Sequence, residues 1–279
     1  MKLFFIVIGI LFLIFFADAL ICRKWLEFTK TSIVCNIKKA CRIIHISDLH
    51  DYSYEKGNER LIRLIENDRP DYICISGDLL NSKGKSAAKT IRLLEELNRI
   101  AKVIYVRGNH ELIFNEYDSE AYNEYITAVK KTGTILLDDS EYDSNDFSFY
   151  GYTNKMKEYK KFGGIYPLTL EEMTEDIPVP KKNFSILLAH NPVYFDIYTR
   201  WGADLILSGH LHGGIIRLPF IGGIISPQTF FGRKYSAGLY EKNGKYMYVS
   251  RGLGLHTLHI RVFNRPELAR IDLIPENKR

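Results

Sequence analysis

The stretch Ile43-Ile44-His45-Ile46-Ser47-Asp48-Leu49-His50 decides the reading of this chain. Residues 43–46 are too short a run for a helix and read as a buried strand, with His45 a satisfied core residue inside it. The strand runs straight into Asp48 and His50. Side chains at i and i+2 of an extended chain point the same way, so these two can chelate one ion. A single pair of this kind is usually a solvated loop; its repetition down the chain gives it weight.

Residues 72–76 and 103–106 are again short apolar runs. Between the strands, 58–67 and 87–100 carry apolar residues at helical spacing (Leu61, Ile62, Leu64, Ile65; then Ile91, Leu93, Leu94, Leu97), and 122–131 is a third helix candidate. The order β-α-β-α-β predicts parallel strands joined by right-handed crossovers. The second strand closes on Ser76-Gly77-Asp78 and the third on Arg107-Gly108-Asn109-His110-Glu111. Alone, the first is a turn and the second a helix start capped by Asn109.

In the second half, residues 147–151, 184–189, 205–208, 236–240, 246–249 and 268–273 read as strands, and Asn243-Gly244 as a hairpin turn. Residues 153–182, rich in Lys, Glu, Met and Pro, read as a surface excursion or cap. Ala189-His190-Asn191-Pro192 and Ser208-Gly209-His210-Leu211-His212-Gly213-Gly214 each close a strand. The fold class is α/β, two mixed sheets face to face with helices on the outer faces. Ligand-type side chains thus arrive from five strand ends, where open α/β sheets place their sites. A mix of carboxylate, imidazole and one amide suits Mn, Fe or Zn. His256 and His259 stay undecided, and Cys74, inside Ile73-Cys74-Ile75, reads as a reduced core residue.

The chain has 279 residues, 46% hydrophobic and 25% charged, which are globular proportions and exclude a disordered or polytopic membrane protein. The net charge of +5 is local: residues 23–42 carry six basic groups against Glu27, and residues 43–279 sum to zero. A chain-wide footprint for nucleic acid is therefore lacking. Residues 1–22 are almost wholly apolar and read as a transmembrane anchor, or as a signal segment cleaved at Ala17-Asp18-Ala19. Residues 23–42 read as a basic juxtamembrane linker and 43–279 as the catalytic domain. The positive-inside rule places that domain in the cytosol, whereas an N-terminal signal-anchor habit places it on the opposite side.

The ordered set D-x-H, G-D, G-N-H-E, H and G-H-x-H resembles the calcineurin-like metallophosphoesterase superfamily. With Arg217-Leu218-Pro219, Arg251-Gly252-Leu253-Gly254 and Asn264-Arg265-Pro266-Glu267, it resembles the membrane-anchored YaeI/YkuE-like branch. The resemblance implies a four-layer α-β-β-α sandwich with a binuclear centre of divalent metal ions at the strand ends. By that resemblance Asp48, His50 and His212 belong to one metal site, Asn109, His190 and His210 to the other, and Asp78 bridges them. Two cations about 3.5–4 Å apart would clamp a phosphate and supply a hydroxide near neutral pH. His110 would stabilise the transferring oxygens or protonate the leaving alkoxide. Relatives often carry an aspartate where this chain has Asn81, and Asn81 is expected to meet His110 through its carbonyl oxygen.

The expected substrate is a phosphoester or pyrophosphate, lipid-linked or membrane-proximal, of the UDP-diacylglucosamine type hydrolysed by some relatives. Asn81, Arg217, Phe220 and Ile221 are the expected substrate contacts, the last two within an apolar, proline- and glycine-broken stretch after the metal motif. A phosphodiesterase or nuclease for soluble nucleotides or nucleic acid is the alternative. A non-catalytic binding protein would be expected to lack a ligand, and none is missing.

Overall fold

The computed structural model describes residues 1–22, 25–85, 87–144, 146–159, 164–180, 183–214, 216–218, 221–224, 234–255 and 260–276. Helix α1 (Lys2–Cys22) comes first, followed by strands β1 (Glu27–Cys35) and β2 (Cys41–Ile46). The crossover elements are α2 (Glu59–Asp68), β3 (Tyr72–Ile75), α3 (Ala87–Ile100), β4 (Lys102–Tyr105), α4 (Asn109–Tyr117), α5 (Ser119–Lys131) and β5 (Ile135–Leu136). The second half runs through β6 (Ser140–Asp143), β7 (Phe147–Tyr152), α6 (Leu170–Asp176), β8 (Phe184–Ala189), α7 (Phe195–Trp201) and β9 (Leu205–Ser208). It ends with the small pair β10 (Arg217–Leu218) and β11 (Gly222–Gly223), then β12 (Gly238–Lys242), β13 (Lys245–Val249) and β14 (Glu267–Pro275).

One sheet has the order β1-β14-β2-β3-β4-β5 and the other β12-β13-β9-β8-β7-β6. Strands β2 to β5 are parallel, as are β7, β8, β9 and β13, while β14 runs antiparallel to β2. Alternation along β2 sorts the core. Ile43 points between the sheets and joins Cys74, Ile104, Phe149, Ile186 and Leu207. Ile44 and Ile46 point the other way, to Leu61, Leu93, Leu97 and Val129 of the helices. A third cluster, with Leu187, Ile206, Met173, Tyr198 and Trp201, covers the far face of the second sheet under α6 and α7. Three apolar layers around two sheets make the expected four-layer sandwich. Each fully buried isoleucine contributes roughly 1.5–3 kcal/mol by its removal from water.

Residues 23–42 are not wholly a linker: Glu27–Cys35 is the edge strand β1, paired in parallel with β14. Its basic neighbours mask a short alternation in which Ile33 and Cys35 face inward and Lys30, Ser32 and Val34 outward. Helix α5 starts three residues before the expected 122, because the Asp118 carboxylate accepts the Ala121 N–H at 3.1 Å and caps it. The Asn243-Gly244 turn is present, with φ of 53° and 71°, and pairs Lys242 with Lys245.

Candidate metal centre

Every candidate ligand sits on the residues that follow a strand. Asp48 and His50 follow β2, Asp78 follows β3, Asn109 and His110 follow β4, His190 follows β8, and His210 and His212 follow β9. Five of them hold left-handed backbone: Asp48 (φ 51°), His50 (46°), Asp78 (52°), His210 (66°) and His212 (51°). Non-glycine residues rarely adopt that region, and each instance costs on the order of 1–3 kcal/mol, so the surrounding bonds must enforce it. Asp48 N–H donates to Gly77 O (3.1 Å), His50 N–H to Asp78 O (3.1 Å), and Gly209 N–H to His190 O (3.0 Å). The Glu111 carboxylate accepts from the N–H groups of Asp78 (2.9 Å), Leu80 (3.0 Å) and Gly108 (2.8 Å). Gly209 is required by close approach: a Cβ there would lie 1.9 Å from Ser47 Oγ and 2.3 Å from Asp48 Oδ2.

The side chains converge on one place. Asp48, His50 and His212 form one cluster, Asp78, His190 and His210 another, and Asp78 is also grouped with His50 and His110; ligand atoms within each cluster lie within 4.8 Å of one another. His212 Nε2 is 3.4 Å from Asp48 Oδ1, and His190 Nε2 is 3.2 Å from Asp78 Oδ2. The rings of His50 and His212 stack at 8° with their Nε2 atoms 3.1 Å apart. Two ring nitrogens facing each other accommodate a single proton, whereas a cation satisfies both lone pairs. Asn109 Oδ1 is buried and has no hydrogen-bond partner among the described residues. His190 Nδ1 lies 2.7 Å from Ser76 O, a carbonyl that can only accept, so Nδ1 carries the proton and Nε2 turns its lone pair to the centre. These donors fit two divalent cations.

Charge agrees with geometry. Burial alone depresses a histidine, but Asp78 and Asp48 overcome it and raise His190 to about 9. Burial pushes Asp78 up, yet His190 and His110 hold it well below the usual carboxylate range. Burial lifts Asp48 to about 6, against the pull of His190. The cavity therefore attracts positive charge.

The profile of the calcineurin-like phosphoesterase family matches residues 41–214, which hold every one of these candidate ligands. The chain is a calcineurin-like phosphoesterase. Calcineurin-like phosphoesterases are metal-dependent hydrolases that use two divalent metals. This one is 30% identical over 247 residues to the uncharacterised metallophosphoesterase YkuE of Bacillus subtilis, covering 86% of this chain and 81% of that one. It is 24% identical to the phosphodiesterase YaeI of Escherichia coli, covering 84% and 82%. In fold it is similar to the crystal structure of TT1561 of Thermus thermophilus, with a TM-score of 0.50, 13% identity, and 77% of this chain and 90% of that one covered.

Around the centre of this calcineurin-like phosphoesterase, one expected contact is replaced. His110 Nδ1 lies 2.8 Å from Ser82 Oγ, not beside Asn81. Asn81 Oδ1 instead accepts the Lys83 N–H at 3.0 Å and closes its own turn, where such a side chain is at its best. Arg217 is half-buried on β10 and donates to Gly213 O at 2.8 Å, which ties it to the His212 loop. Ile221 is 73% exposed at the β10–β11 turn, while Phe220, His256 and His259 lie outside the described residues. His45 is fully buried with Nε2 2.8 Å from Ser76 Oγ, as expected of a core residue.

Sequence reasoning gave no role at the centre to four of its neighbours. Ser82 had no motif of its own. Tyr159, inside the stretch read as a surface cap, is buried with its ring 4.9 Å from that of His210, and its hydroxyl has no partner among the described residues. Arg261, 2% exposed, donates to the carbonyls of Arg251 (2.8 Å), Gly252 (3.0 Å) and Gly254 (2.6 Å). Asn264 Nδ2 donates to His212 O and Gly214 O, both at 2.6 Å. Such buried polar residues carry no periodic signal.

Proposed function

We propose that this phosphoesterase cleaves a phosphodiester or pyrophosphate bond in a lipid-linked substrate at the membrane that α1 spans. The observation that carries the reading is the pairing of the metal centre with Phe4–Cys22, a 19-residue apolar span of mean hydropathy 2.9 whose most apolar stretch is unburied. The kinship to YaeI, named a phosphodiesterase, supports a diester over a monoester. A UDP-diacylglucosamine-type pyrophosphate fits the same chemistry.

Bound divalent cations supply Lewis acidity and a nucleophile at neutral pH. The chain's own residues do the rest. Asp48, His50, Asp78, Asn109, His190, His210 and His212 hold the cations. His110 sits on the first turn of α4 with its ring 4.5 Å from that of His50, and Ser82 fixes its Nδ1. Because a hydroxyl both donates and accepts, Ser82 supports the ring before and after it releases a proton. As water oxygen adds to phosphorus and releases a proton to solvent, the P–O bond to the leaving group breaks and His110 delivers a proton to the leaving oxygen. Exposed Ile221 offers an apolar contact on the β10–β11 turn, whose Arg217 is tied to Gly213 O.

The test uses the full chain in mixed micelles with Mn²⁺, on an acylated pyrophosphate-linked lipid and its deacylated counterpart. A higher kcat/KM for the acylated form, reduced by Ile221→Ser, is expected. Equal rates unaffected by the substitution would overturn the reading in favour of a soluble-nucleotide phosphodiesterase.

A further inference from the structure

The last two turns of α1 are seated on the domain by one face. Phe15, Asp18 and Ala19 are half-buried and Cys22 is 1% exposed, whereas Leu13, Phe16, Leu20 and Ile21 stay exposed. The spacing i, i+3, i+4, i+7 is that of one helix stripe. An acid within an apolar span is costly unless it has a partner. Asp18 has one: its Oδ2 accepts the Phe263 N–H at 2.5 Å, and the Cys22 thiol donates to it at 3.3 Å. The Phe15 and Phe263 rings meet edge to face at 5.3 Å, and the Arg265 guanidinium lies 4.3 Å over the Trp25 ring.

Phe263 belongs to a loop that braces one of the candidate ligands. Its neighbours Arg261 and Asn264 grip the carbonyls of Gly252, Gly254 and His212. Gly254 N–H in turn donates to Asp48 O at 2.6 Å. Val262 O accepts the Arg217 N–H at 3.0 Å, which adds the β10–β11 hairpin to the same surface. Exposed apolar side chains emerge along it: Trp25 (52%), Ile260 (48%) and Ile221 (73%). Beside the helix end lies an open cleft of about 430 Å³ lined by Leu20, Ile21, Trp25 and Arg60. Among the described residues its walls are apolar with Arg60 as the one cation, which matches a bilayer lipid that the adjacent span brings within reach.

We infer that Asp18 clasps the membrane helix to the loop that braces His212, so that the span and the catalytic rim form one rigid unit that presents the centre to phosphoesters at headgroup level of the same bilayer. The inference rests on the membrane reading above and adds that α1 is an orienting part of the enzyme rather than a tether. Cleavage at Ala17-Asp18-Ala19 would remove the acceptor of Phe263 N–H, so the clasp requires the segment to be retained.

The experiment compares wild type, Asp18→Leu and Asp18→Asn as full chains in phosphatidylcholine–phosphatidylglycerol vesicles carrying CDP-diacylglycerol, a pyrophosphate-linked lipid, and on soluble bis(p-nitrophenyl) phosphate. Asp18→Leu should sediment with the vesicles, keep its metals and cleave the soluble diester at the wild-type rate. Its Phe263 amide should exchange hydrogen faster, and its kcat/KM on the vesicle lipid should fall about tenfold, the scale of one lost charge-assisted hydrogen bond. Asp18→Asn, which retains an acceptor oxygen, should restore most of that loss. Unchanged lipid turnover in Asp18→Leu, or unchanged Phe263 exchange, overturns the clasp. A wild-type chain that fails to sediment, or that cleaves only the soluble diester, overturns the membrane reading itself and the clasp with it.

Discussion

The rim of the first sheet carries both carboxylates of the centre, Asp48 and Asp78, while the rim of the second carries imidazoles alone, His190, His210 and His212. Neither rim by itself collects a complete ligand set. The centre exists only where the two sheets close over the shared layer around Ile43 and Ile186. Inside that closure, His45 and His190 are both fully buried yet move in opposite directions. Burial takes His45 down to about 3, whereas the carboxylates across the interface bring His190 up to about 9. A buried imidazole is thus neutral by default, and the acids of the facing sheet make its neighbourhood a cation site.

The largest effect should come from breaking the meeting point of the two rims. Asp78→Asn is expected to lose both metal equivalents and about 10³-fold in activity, the scale of uncompensating a buried charge cluster. His212→Ala should mainly weaken one equivalent, and metal analysis of the two variants side by side decides between shared and separate sites. His110→Ala should keep both metals and lose about 10²–10⁴-fold in kcat, which steady-state kinetics on metal-loaded protein will show.

A finer contrast separates two adjacent residues. Ser82→Ala should cost about tenfold in kcat through the lost bond to His110, while Asn81→Asp should leave both kcat and the pH–rate profile unchanged. A shifted profile in Asn81→Asp would restore the contact expected from the sequence.

The smallest effect concerns stability. Because His45 stays neutral in the fold down to about pH 3, the unfolded chain alone takes up its proton as pH falls through 6.5. Stability should therefore drop by roughly 1 kcal/mol from pH 6.5 to 5.5, and His45→Gln should remove that slope in urea titrations. For His190 the sign reverses: in metal-free protein its contribution is full below pH 6.5 and is lost as pH rises through about 9.

The ligands were legible because each follows an apolar run, and a run of four to six residues ends where polar residues begin. The layers were legible for the same reason, through the alternation at Ile43, Ile44 and Ile46. β1 was not, since its register partners stand 240 positions away, as Glu27 with Glu267, and its charges conceal its alternation. Whether Asn81 or Ser82 meets His110 is settled by one turn, Gly84 N–H to Asn81 O at 3.1 Å, which swings the asparagine away. Tyr159 was hidden because it lies in a Lys- and Glu-rich stretch that turns inward at Glu158 and Tyr159 together, with no apolar run to announce it. The Asp18 partner was hidden because it is a backbone N–H, which every non-proline residue offers.

The place of β14 in its sheet bears on how the protein is made. It is the last strand among the described residues, and it lies between the first two. Helix α1 can leave the ribosome while β1 still has no neighbour and one edge of β2 stands open. At ordinary elongation rates the wait from residue 46 to residue 267 is roughly 10–50 s. Throughout it the nascent chain exposes a row of unpaired amides to any other strand it meets. A message truncated before codon 267 would leave that edge open for good.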